Sequence, residues 1–464
     1  MPGRLILLLH LALACWPQTL QQPSEPPPKS GSGELHREEQ NRNQPQPPNP
    51  ERWNLYWQIT AIPDFHGHFR SPYAGPYSLQ NRNELDSSLT STLFFGLRLT
   101  DSTQIYIDPE LAGGKGFSGV DGVANFPNGE LPRVATVVPE PYIARAYMQQ
   151  DFGWGDARES MESEANQLAG ERPMDRYTLI IGRFSATDFF DDNRYSHDPR
   201  TQFMGWAAMY NGAWDYPADT RGYTNGVVHQ LHTKNWTFTY GSMLEPLTAN
   251  GMRLDWRISR DRGDVFQIER RWMIGKRQGA IRPLGFLLHT DSGSYQEALD
   301  LAAKTHSVPH IDDTLRVGRL KYGYGVSFDQ EVTSSIGVFL RLGWNDGHTE
   351  SFAFTPIDRL ASGGASVTGT YWRRPFDTAA SMFTASGLSA VHAAYLAAGG
   401  LDFMIGDRHL NYAPEYVWES YYSARLKPGL FTSLDLQYIA NPAYNHDRGP
   451  VWVESLRLHL EWGR

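Results

Sequence analysis

The sequence predicts an all-β fold: a transmembrane antiparallel β-barrel of about 16 strands with loops folded into its interior. Three observations lead to this prediction. Aromatic residues make up 13% of the chain, yet no stretch after the N-terminus reaches the roughly 18 consecutive apolar residues of a membrane helix. Apolar and polar residues instead alternate with the period of two that is typical of strands. The connections between these segments are alternately short and long, as in barrels whose two ends face different compartments.

The N-terminal segment is expected to precede the barrel. Residues 1–14 combine a basic start with a short apolar run, which indicates a secretory signal peptide. Residues 15–50 are rich in Pro, Gln and Ser, which predicts a disordered periplasmic linker. Cys15 is the only cysteine, so the chain can form no internal disulfide. Ordinary cleavage after Ala14 is favoured over a lipid on Cys15, which the sequence leaves open. Residues 51–464 are assigned to the barrel.

Alternation of apolar and polar residues places the strands. Many apolar faces begin or end in Trp, Tyr or Phe, as in the aromatic girdles of membrane barrels. The predicted strands are residues 53–62, 86–99, 103–111, 141–152, 176–184, 221–232, 235–244, 264–274, 278–289, 315–328, 333–345, 352–371, 376–385, 414–425, 430–440 and 450–462. One connection departs from the alternation of short and long connections. Residues 153–175 are expected to form a short turn, but the segment is long and helix-like in sequence.

The stretch 186–206, ATDFFDDNRYSHDPRTQFMGW, combines many charges with many aromatic rings. A packed core would exclude the charges, and a disordered tail would lack the aromatic residues. A barrel of this size encloses water, so something must narrow it. The loop at 185–220 is therefore predicted to fold inward and constrict the lumen. The alternative is an external loop, with residues 112–140 as the next candidate for the constriction.

Several stretches resemble the carbohydrate-selective outer-membrane porins. In chain order they are residues 62–79, 191–206 (DDNRYSHDPRTQFMGW), 215–224, 395–406 (YLAAGGLDFMIG), 409–415 and 439–453 (IANPAYNHDRGPVWV). The resemblance covers about Trp53 to Trp462 and implies a sixteen-stranded channel in the bacterial outer membrane. It also implies facilitated diffusion of monosaccharides and other small carbohydrates, without a cofactor or energy coupling. Gly463 and Arg464 depart from the family pattern, in which the aromatic residue of the last strand is usually final.

Two sets of residues are candidates for the function. Charged groups can hydrogen-bond sugar hydroxyls and aromatic faces can stack on sugar rings, although some loop residues could instead anchor the loop. The candidates for the constriction and for sugar contact are Asp192, Asn193, Arg194, Tyr195, His197, Asp198, Arg200 and Trp206. By strand parity, the lumen-lining candidates are Arg98, Arg145, Glu269, Arg271, Arg319, Lys321, Arg341, Asp435 and Arg457. Because basic residues outnumber acidic ones in the second set, a weak preference for anions is expected.

Other functions receive less support. The sequence has no GxxxxGK[ST], HExxH or CxxC motif, and we assign no catalytic residue, metal or cofactor. His66 and His68 could share one face of an extended segment, but a third metal ligand is not evident. The alternatives are a porin for small charged solutes such as organic anions, and a barrel with an enzymatic or structural role. The expected partners are a small carbohydrate, outer-membrane lipid and the barrel assembly machinery, with no nucleic acid. A monomer is one possibility, and the sequence leaves open whether the barrel works alone or as a trimer.

Overall fold

The computed structural model describes residues 49–131, 136–353 and 356–463, which form a closed barrel of antiparallel strands. Each strand pairs with its neighbours in the chain, and the first pairs with the last. The strands are Trp53–His66 (β1), Glu84–Thr100 (β2), Thr103–Lys115 (β3), Glu140–Met161 (β4), Gly170–Phe184 (β5), Thr224–His232 (β6), Trp236–Leu244 (β7), Arg262–Ile274 (β8), Arg277–Ser292 (β9), Arg316–Glu331 (β10), Ile336–Asn345 (β11), Arg359–Gly369 (β12), Arg374–Gly387 (β13), Glu415–Lys427 (β14), Leu430–Ala440 (β15) and Val451–Gly463 (β16).

The predicted fold is confirmed, and each predicted strand overlaps an observed one. The predicted signal peptide and nearly all of the predicted linker lie outside the described residues. The predicted twelfth strand begins too early, at residue 352, whereas β12 begins at Arg359. The reason is that the backbone N–H groups of Phe352 and Ala353 donate to the Asp215 carboxylate, at 2.9 and 2.6 Å. These bonds hold that segment in a loop.

The helix-like connection predicted at residues 153–175 is wrong. β4 and β5 continue there as a hairpin that projects past the barrel rim, where Gln150 pairs with Thr103 of β3. The pairing of Met161 with Gly170 leaves a turn at residues 162–169. The residues of this segment form strands because the backbone of β4 hydrogen-bonds with that of β5. These hydrogen bonds outweigh the weak local preference of the residues for a helix.

The two faces of the barrel differ in chemistry. Apolar side chains point outward along the strands, and exposed tryptophans mark both ends, with Trp53 and Trp462 at the short-turn end and Trp418 and Trp452 at the long-loop end. The inward face is polar and charged, and loops that fold into the lumen cover much of it. The short-turn end is the expected periplasmic end and the long-loop end is the expected external one.

In the described parts of the long loops there are three short α-helices: Trp206–Met209 (α1), Tyr295–Thr305 (α2) and Ala390–Ala397 (α3). The Ser294 side chain caps α2 by accepting from the backbone N–H of Glu297, and Ser389 caps α3 by accepting from that of His392. Among the described residues, no helix has the length and apolar character required to cross a membrane.

Candidate functional site

Residues 185–223, which we call the constriction loop, lie inside the barrel. Arginines from two distant strands bind this loop through its carbonyl groups. Arg341 of β11 donates to the carbonyls of Ser196 and Ala208, at 2.5 and 2.8 Å, and is 0% exposed. Arg457 of β16 donates to the carbonyl of Gln202 at 2.6 Å. An external loop could not reach both walls, so the prediction of an inward-folded loop is confirmed.

Further polar groups fix the constriction loop to the wall. Glu419 of β14 accepts from the backbone N–H of Met204 at 2.5 Å. The Lys321 ammonium of β10 donates to Asp215 at 2.8 Å, and both groups are buried. Arg341, Arg457 and Lys321 therefore face the lumen as parity predicts, but the loop covers them. These side chains hold the loop, and their burial keeps them from contact with a solute.

Three of the predicted contact residues face the wall. Asn193 donates to the Ser327 hydroxyl at 3.0 Å, and Arg194 donates to the Gln278 side chain at 2.9 Å. The Tyr195 ring packs so closely on β11 that a Cβ at Gly337 would lie 1.9 Å from it. Asn193, Arg194 and Tyr195 thus anchor the loop, which is the alternative that the sequence left open.

A second loop, described at residues 116–131, also enters the lumen. Phe126 stacks on Trp206 of the constriction loop, with ring centroids 4.9 Å apart and planes at 26°. Asn128 donates to Asp64 of β1 at 2.7 Å, and the backbone N–H of Asn125 donates to Glu415 of β14 at 2.7 Å. This loop was only the second candidate from sequence, yet the two loops meet and narrow the lumen together.

Between these loops and the wall lies a cavity of about 560 Å³, the constriction chamber. Arg200 spans it from the constriction loop, because its guanidinium donates to Glu130 at 2.8 Å, Glu110 at 2.9 Å and Thr92 at 2.9 Å. This arrangement crosses from one inward loop to the other and to strands β2 and β3. It fixes the relative position of the two loops at the chamber.

A second ion pair forms the neighbouring part of the chamber wall. Arg145 of β4 donates to both carboxylate oxygens of Asp188, at 2.6 and 2.7 Å. Such two-point contacts fix orientation as well as distance. The same guanidinium lies 5.5 Å from the centre of the Tyr223 ring, whose hydroxyl donates to Glu110 at 3.2 Å. The two ion pairs are therefore joined by an aromatic residue.

Aromatic rings supply the rest of the chamber surface. Trp206 and Tyr216 stack with centroids 6.2 Å apart and planes at 20°. Together with polar neighbours they form a wall of flat apolar faces edged by hydroxyl and carboxylate groups. The aromatic residues that line the chamber are Phe94, Phe126, Tyr142, Trp206, Tyr210, Tyr216 and Tyr223.

His197 and Asp198 lie at the inner edge of the chamber. The His197 ring meets Tyr210 edge to face, with centroids 5.4 Å apart. Asp198 accepts from the backbone N–H of Arg200 at 3.0 Å and from the Thr201 hydroxyl at 2.9 Å. Burial acts to raise the pKa of Asp198, but Arg200 and its backbone N–H hold that pKa below its ordinary value. The ionised carboxylate thus shapes the turn that presents Arg200.

The expected anion preference loses its basis in the structure. The constriction chamber is lined by three arginines and five carboxylates, and Arg145 and Arg200 are bound to carboxylates there. Arg271 pairs with Glu269 near the periplasmic end of the barrel. Strand parity identified the basic residues on the wall and Glu269, but it could not detect Asp188 and Glu297, which the loops bring to Arg145 and Arg319.

The remaining candidates are dispersed. Arg319 binds Glu297 of helix α2 near the external rim, and Asp435 is buried beside Gln437. Arg98 and Asp192 line a second cavity closer to the periplasmic end. His66 bonds to Glu84 at 3.2 Å. Within the part of the chain that the structure describes, no three His, Cys, Asp or Glu side chains are grouped to hold a metal ion.

Sequence reasoning missed several residues of the constriction chamber. Glu110 could have been found, since it has the inward parity of Gln104 and Asp108 on β3. Glu130 lies in an irregular loop, where no periodicity indicates which side chains face the lumen. Asp188 was part of the charged stretch but was not selected as a candidate, because its partner Arg145 is distant in sequence.

Comparisons with known proteins bear on this geometry. The family model described as "Carbohydrate-selective porin, OprB family" matches residues 88–462. A search of curated proteins gave no match. The chain is similar to the solved structure of Pseudomonas putida OprB, with a TM-score of 0.66 and 14% identity over 88% of this chain and 94% of that one.

Two channels of Acinetobacter baumannii are more distant. OccAB1 has a TM-score of 0.47 at 9% identity, covering 91% of this chain and 99% of that one, and DcaP has 0.46 at 9%, covering 88% and 97%. These two likenesses are too distant to support an inference. The family match spans most of the barrel, and the chain therefore belongs to the OprB family of carbohydrate-selective porins, which places it in the bacterial outer membrane as a sugar porin.

Proposed function

We propose that this porin passes monosaccharides and other small carbohydrates by facilitated diffusion, and that the constriction chamber selects them. The observation that supports this proposal is the pairing of charges in the chamber. Arg145 and Arg200 are each bound to carboxylates, beside a wall of aromatic rings. The chamber is therefore polar and offers an anion no unpaired arginine, and its five carboxylates against three arginines do not favour anions.

This surface suits a neutral polyhydroxyl solute. The carboxylate oxygens of Asp188, whose side chain is 20% exposed, can accept from sugar hydroxyls, and the guanidinium of Arg145 can donate to them. Hydrogen bonds to ionised groups are stronger than those between neutral groups. Because the same groups already satisfy each other, exchanging a water for a hydroxyl changes the free energy little. A sugar can then replace its hydration step by step without being trapped.

The aromatic faces supply a complementary contact. The half-buried rings of Tyr142 and Tyr210 present apolar surface to the chamber, and the buried, stacked rings of Trp206 and Tyr216 fix the wall around them at small entropic cost. A pyranose ring has apolar C–H faces that can pack on such surfaces. The predicted contact role of Trp206, Asp198, His197 and Arg200 remains part of this proposal, with Asp198 acting through the turn it stabilises.

The narrowest point is proposed to lie where Arg200 meets Glu110 and Glu130. Both inward loops and the wall converge on this cluster. A porin for organic anions is the competing function, and it would need cationic groups without partners. The paired arginines of the chamber favour the sugar instead. We also propose that a single chain is enough to form a working channel. One chain closes the whole barrel and supplies both inward loops.

Liposome swelling tests the proposed selectivity. Vesicles with the purified porin should swell faster in D-glucose than in an organic anion or cation of similar size. Equal swelling rates for glucose and both charged solutes would show that the channel filters by size alone. Faster swelling in the anion would support the competing function.

A further inference from the structure

The turn at residues 162–169, between β4 and β5, folds back into the periplasmic mouth of the barrel. We call it the periplasmic flap. Asn54 of β1 donates to the carbonyl of Gln167 at 2.7 Å, and the Tyr56 hydroxyl donates to that of Ser163 at 2.9 Å. Both wall residues have inward parity on β1. The flap therefore occupies the lumen rather than the periplasm.

The two ends of the flap are fastened at the rim. The Glu51 carboxylate accepts from the Ser163 hydroxyl at 2.7 Å and from the backbone N–H of Ala169 at 2.9 Å. The Arg98 guanidinium donates to the carbonyl of Ala169 at 2.9 Å. Leu168 is 2% exposed and packs within the same apolar cluster as Tyr106. These contacts hold the flap in one position.

The tip of the flap reaches the underside of the constriction. Asn166 donates to Asp108 at 2.8 Å, and Asp108 lies 3.4 Å from Arg145, which binds Asp188 of the constriction loop. A continuous polar chain thus runs from the flap to the constriction loop. Glu164 lines the constriction chamber as well as a second cavity beneath it.

This second cavity, the exit chamber, has a volume of about 500 Å³ and a mainly polar lining. Such a volume falls in the range of small-molecule sites, roughly 300–1,000 Å³. Two shielded polar atoms on its lining, Asn166 Oδ1 and His197 Nδ1, have no hydrogen-bond partner in the protein. Buried polar atoms normally have partners, so these two would gain a hydrogen bond from a hydroxyl once the lining moves apart enough to admit it.

The side chain of Glu164 is exposed in the lumen, and among the described residues no hydrogen bond or ion pair engages its carboxylate. It differs in this respect from the other carboxylates Asp188 and Glu110, which are bound to arginines. An unoccupied acceptor, an amide oxygen and an imidazole nitrogen together match the hydroxyl groups of a neutral sugar.

From this geometry we propose that the exit chamber is a second sugar-binding site of the channel, closed below by the periplasmic flap, with Glu164 and Asn166 as its contact residues. The ligand class is a monosaccharide that has passed the constriction, so the inference rests on the proposed function. A sugar would move between two weak sites rather than leave the constriction directly for the periplasm. The flap would thereby take part in specificity from the side opposite to the constriction loop.

Single-channel recording in planar bilayers with D-glucose as the probe tests this site. Two binding sites predict two kinetic components in the sugar-induced current fluctuations. Glu164→Gln removes the charge, and Asn166→Gly removes the amide while allowing the positive φ of 58° at that residue. Each variant should shorten the dwell time of one component by about threefold to tenfold, the factor that corresponds to one lost hydrogen bond.

Two further variants separate the possible outcomes. Glu162→Gln makes the same charge change on the same turn, but Glu162 lines neither chamber, so it should leave both components unchanged. Arg200→Ala should change the other component. If Glu164→Gln and Asn166→Gly behave as wild type while Arg200→Ala does not, the exit site is refuted and the constriction stands. If none of the three alters the current fluctuations, the proposed function fails as well. An equal effect of Glu162→Gln would refute a site at Glu164.

Discussion

The arginines that hold the constriction loop and the arginines that line the constriction chamber have different roles in this channel. Arg341 and Arg457 bind backbone carbonyls of the constriction loop and are covered by it. Arg145 and Arg200 bind carboxylates and line the constriction chamber. The first pair acts only as scaffold, whereas the second holds the loops and also forms part of the surface that a solute meets.

The difference teaches that orientation toward the lumen does not make a residue available to a solute. A guanidinium offers five donors in a fixed plane, so one arginine can satisfy several carbonyls of an irregular loop. That use matters inside a barrel, where the loop has no strand neighbours to satisfy its backbone. Substitutions in the two sets should therefore have separable effects on stability and on selectivity.

Deletion of residues 191–204 should have the largest effect, since it removes the part of the loop that both wall arginines bind. Single-channel conductance should rise several-fold and sugar block should disappear, because the lumen of a barrel of this size is wide. Retained heat-modifiability on gels would show that the barrel still folds. Unchanged conductance and sugar block in a folded deletion variant would contradict the assigned role of the loop.

Arg341→Met should destabilise the loop without altering the chamber surface directly. Loss of a fully buried, multiply bonded charge is expected to cost about 3 kcal/mol, seen as a lower unfolding temperature and noisier open-channel current. Arg271→Met is the matched control, because Arg271 faces the lumen but is 39% exposed and contacts no part of the loop. Similar losses of stability in both variants would contradict the specific role of Arg341 in holding the constriction loop.

Arg200→Ala should change selectivity as well as stability, because Arg200 also holds the two inward loops together. It leaves Glu110 and Glu130 without their cation, so reversal potentials should shift toward cation preference while open-channel conductance rises and glucose block weakens. Arg200→Lys keeps the charge but loses the planar fork, and it should restore the reversal potential more fully than the sugar block. Wild-type block in Arg200→Ala would remove this residue from the sugar path.

The external loops provide the smallest expected effect, a pH dependence. His392 of helix α3 lies between Asp358 at 3.0 Å and Asp402 at 2.8 Å, and Tyr295 of helix α2 stacks on its ring. Burial acts to lower the pKa of His392, but the two carboxylates raise it from 6.5 to about 9. The stabilisation is therefore complete below about pH 6.5 and is lost as the pH rises through about 9.

Limited proteolysis of the external loops should accordingly become faster above about pH 9. Conductance should change little, since these residues do not line the constriction chamber. His392→Gln should abolish the pH dependence, whereas His310→Gln should retain it, because the His310 side chain is exposed. Proteolysis that is independent of pH in the wild type would refute the assignment.

Much of the fold was predictable from the sequence because the barrel obeys local rules. Alternation at residues such as Leu93 and Trp462 reflects lipid on one side and water on the other, a constraint that acts on every strand. The constriction loop was recognisable because charges and aromatic rings occur together at residues 186–206. The β4–β5 hairpin was missed because its sequence favours a helix. It forms strands only because β4 and β5 continue their backbone hydrogen bonds to each other beyond the rim.

The candidate site was less predictable because its pairs are distant in sequence. Arg200 meets Glu110 and Glu130 only after two loops and a strand converge. Strand parity predicts that Arg341 points inward. It cannot predict that the constriction loop, which is distant in sequence, covers this side chain. The periplasmic flap shows the same limitation, since the contact between Asn166 and Asp108 needs a turn to fold back on the strands.

The central claim is that the chamber binds a neutral sugar weakly at paired charges and aromatic faces. Planar-bilayer conductance of the wild-type porin, titrated with D-glucose and with a non-sugar polyol of matched viscosity, tests it most directly. The account predicts a saturable decrease in ion current with glucose that exceeds the decrease with the polyol. A current that falls only with viscosity, equally for both solutes, would contradict it.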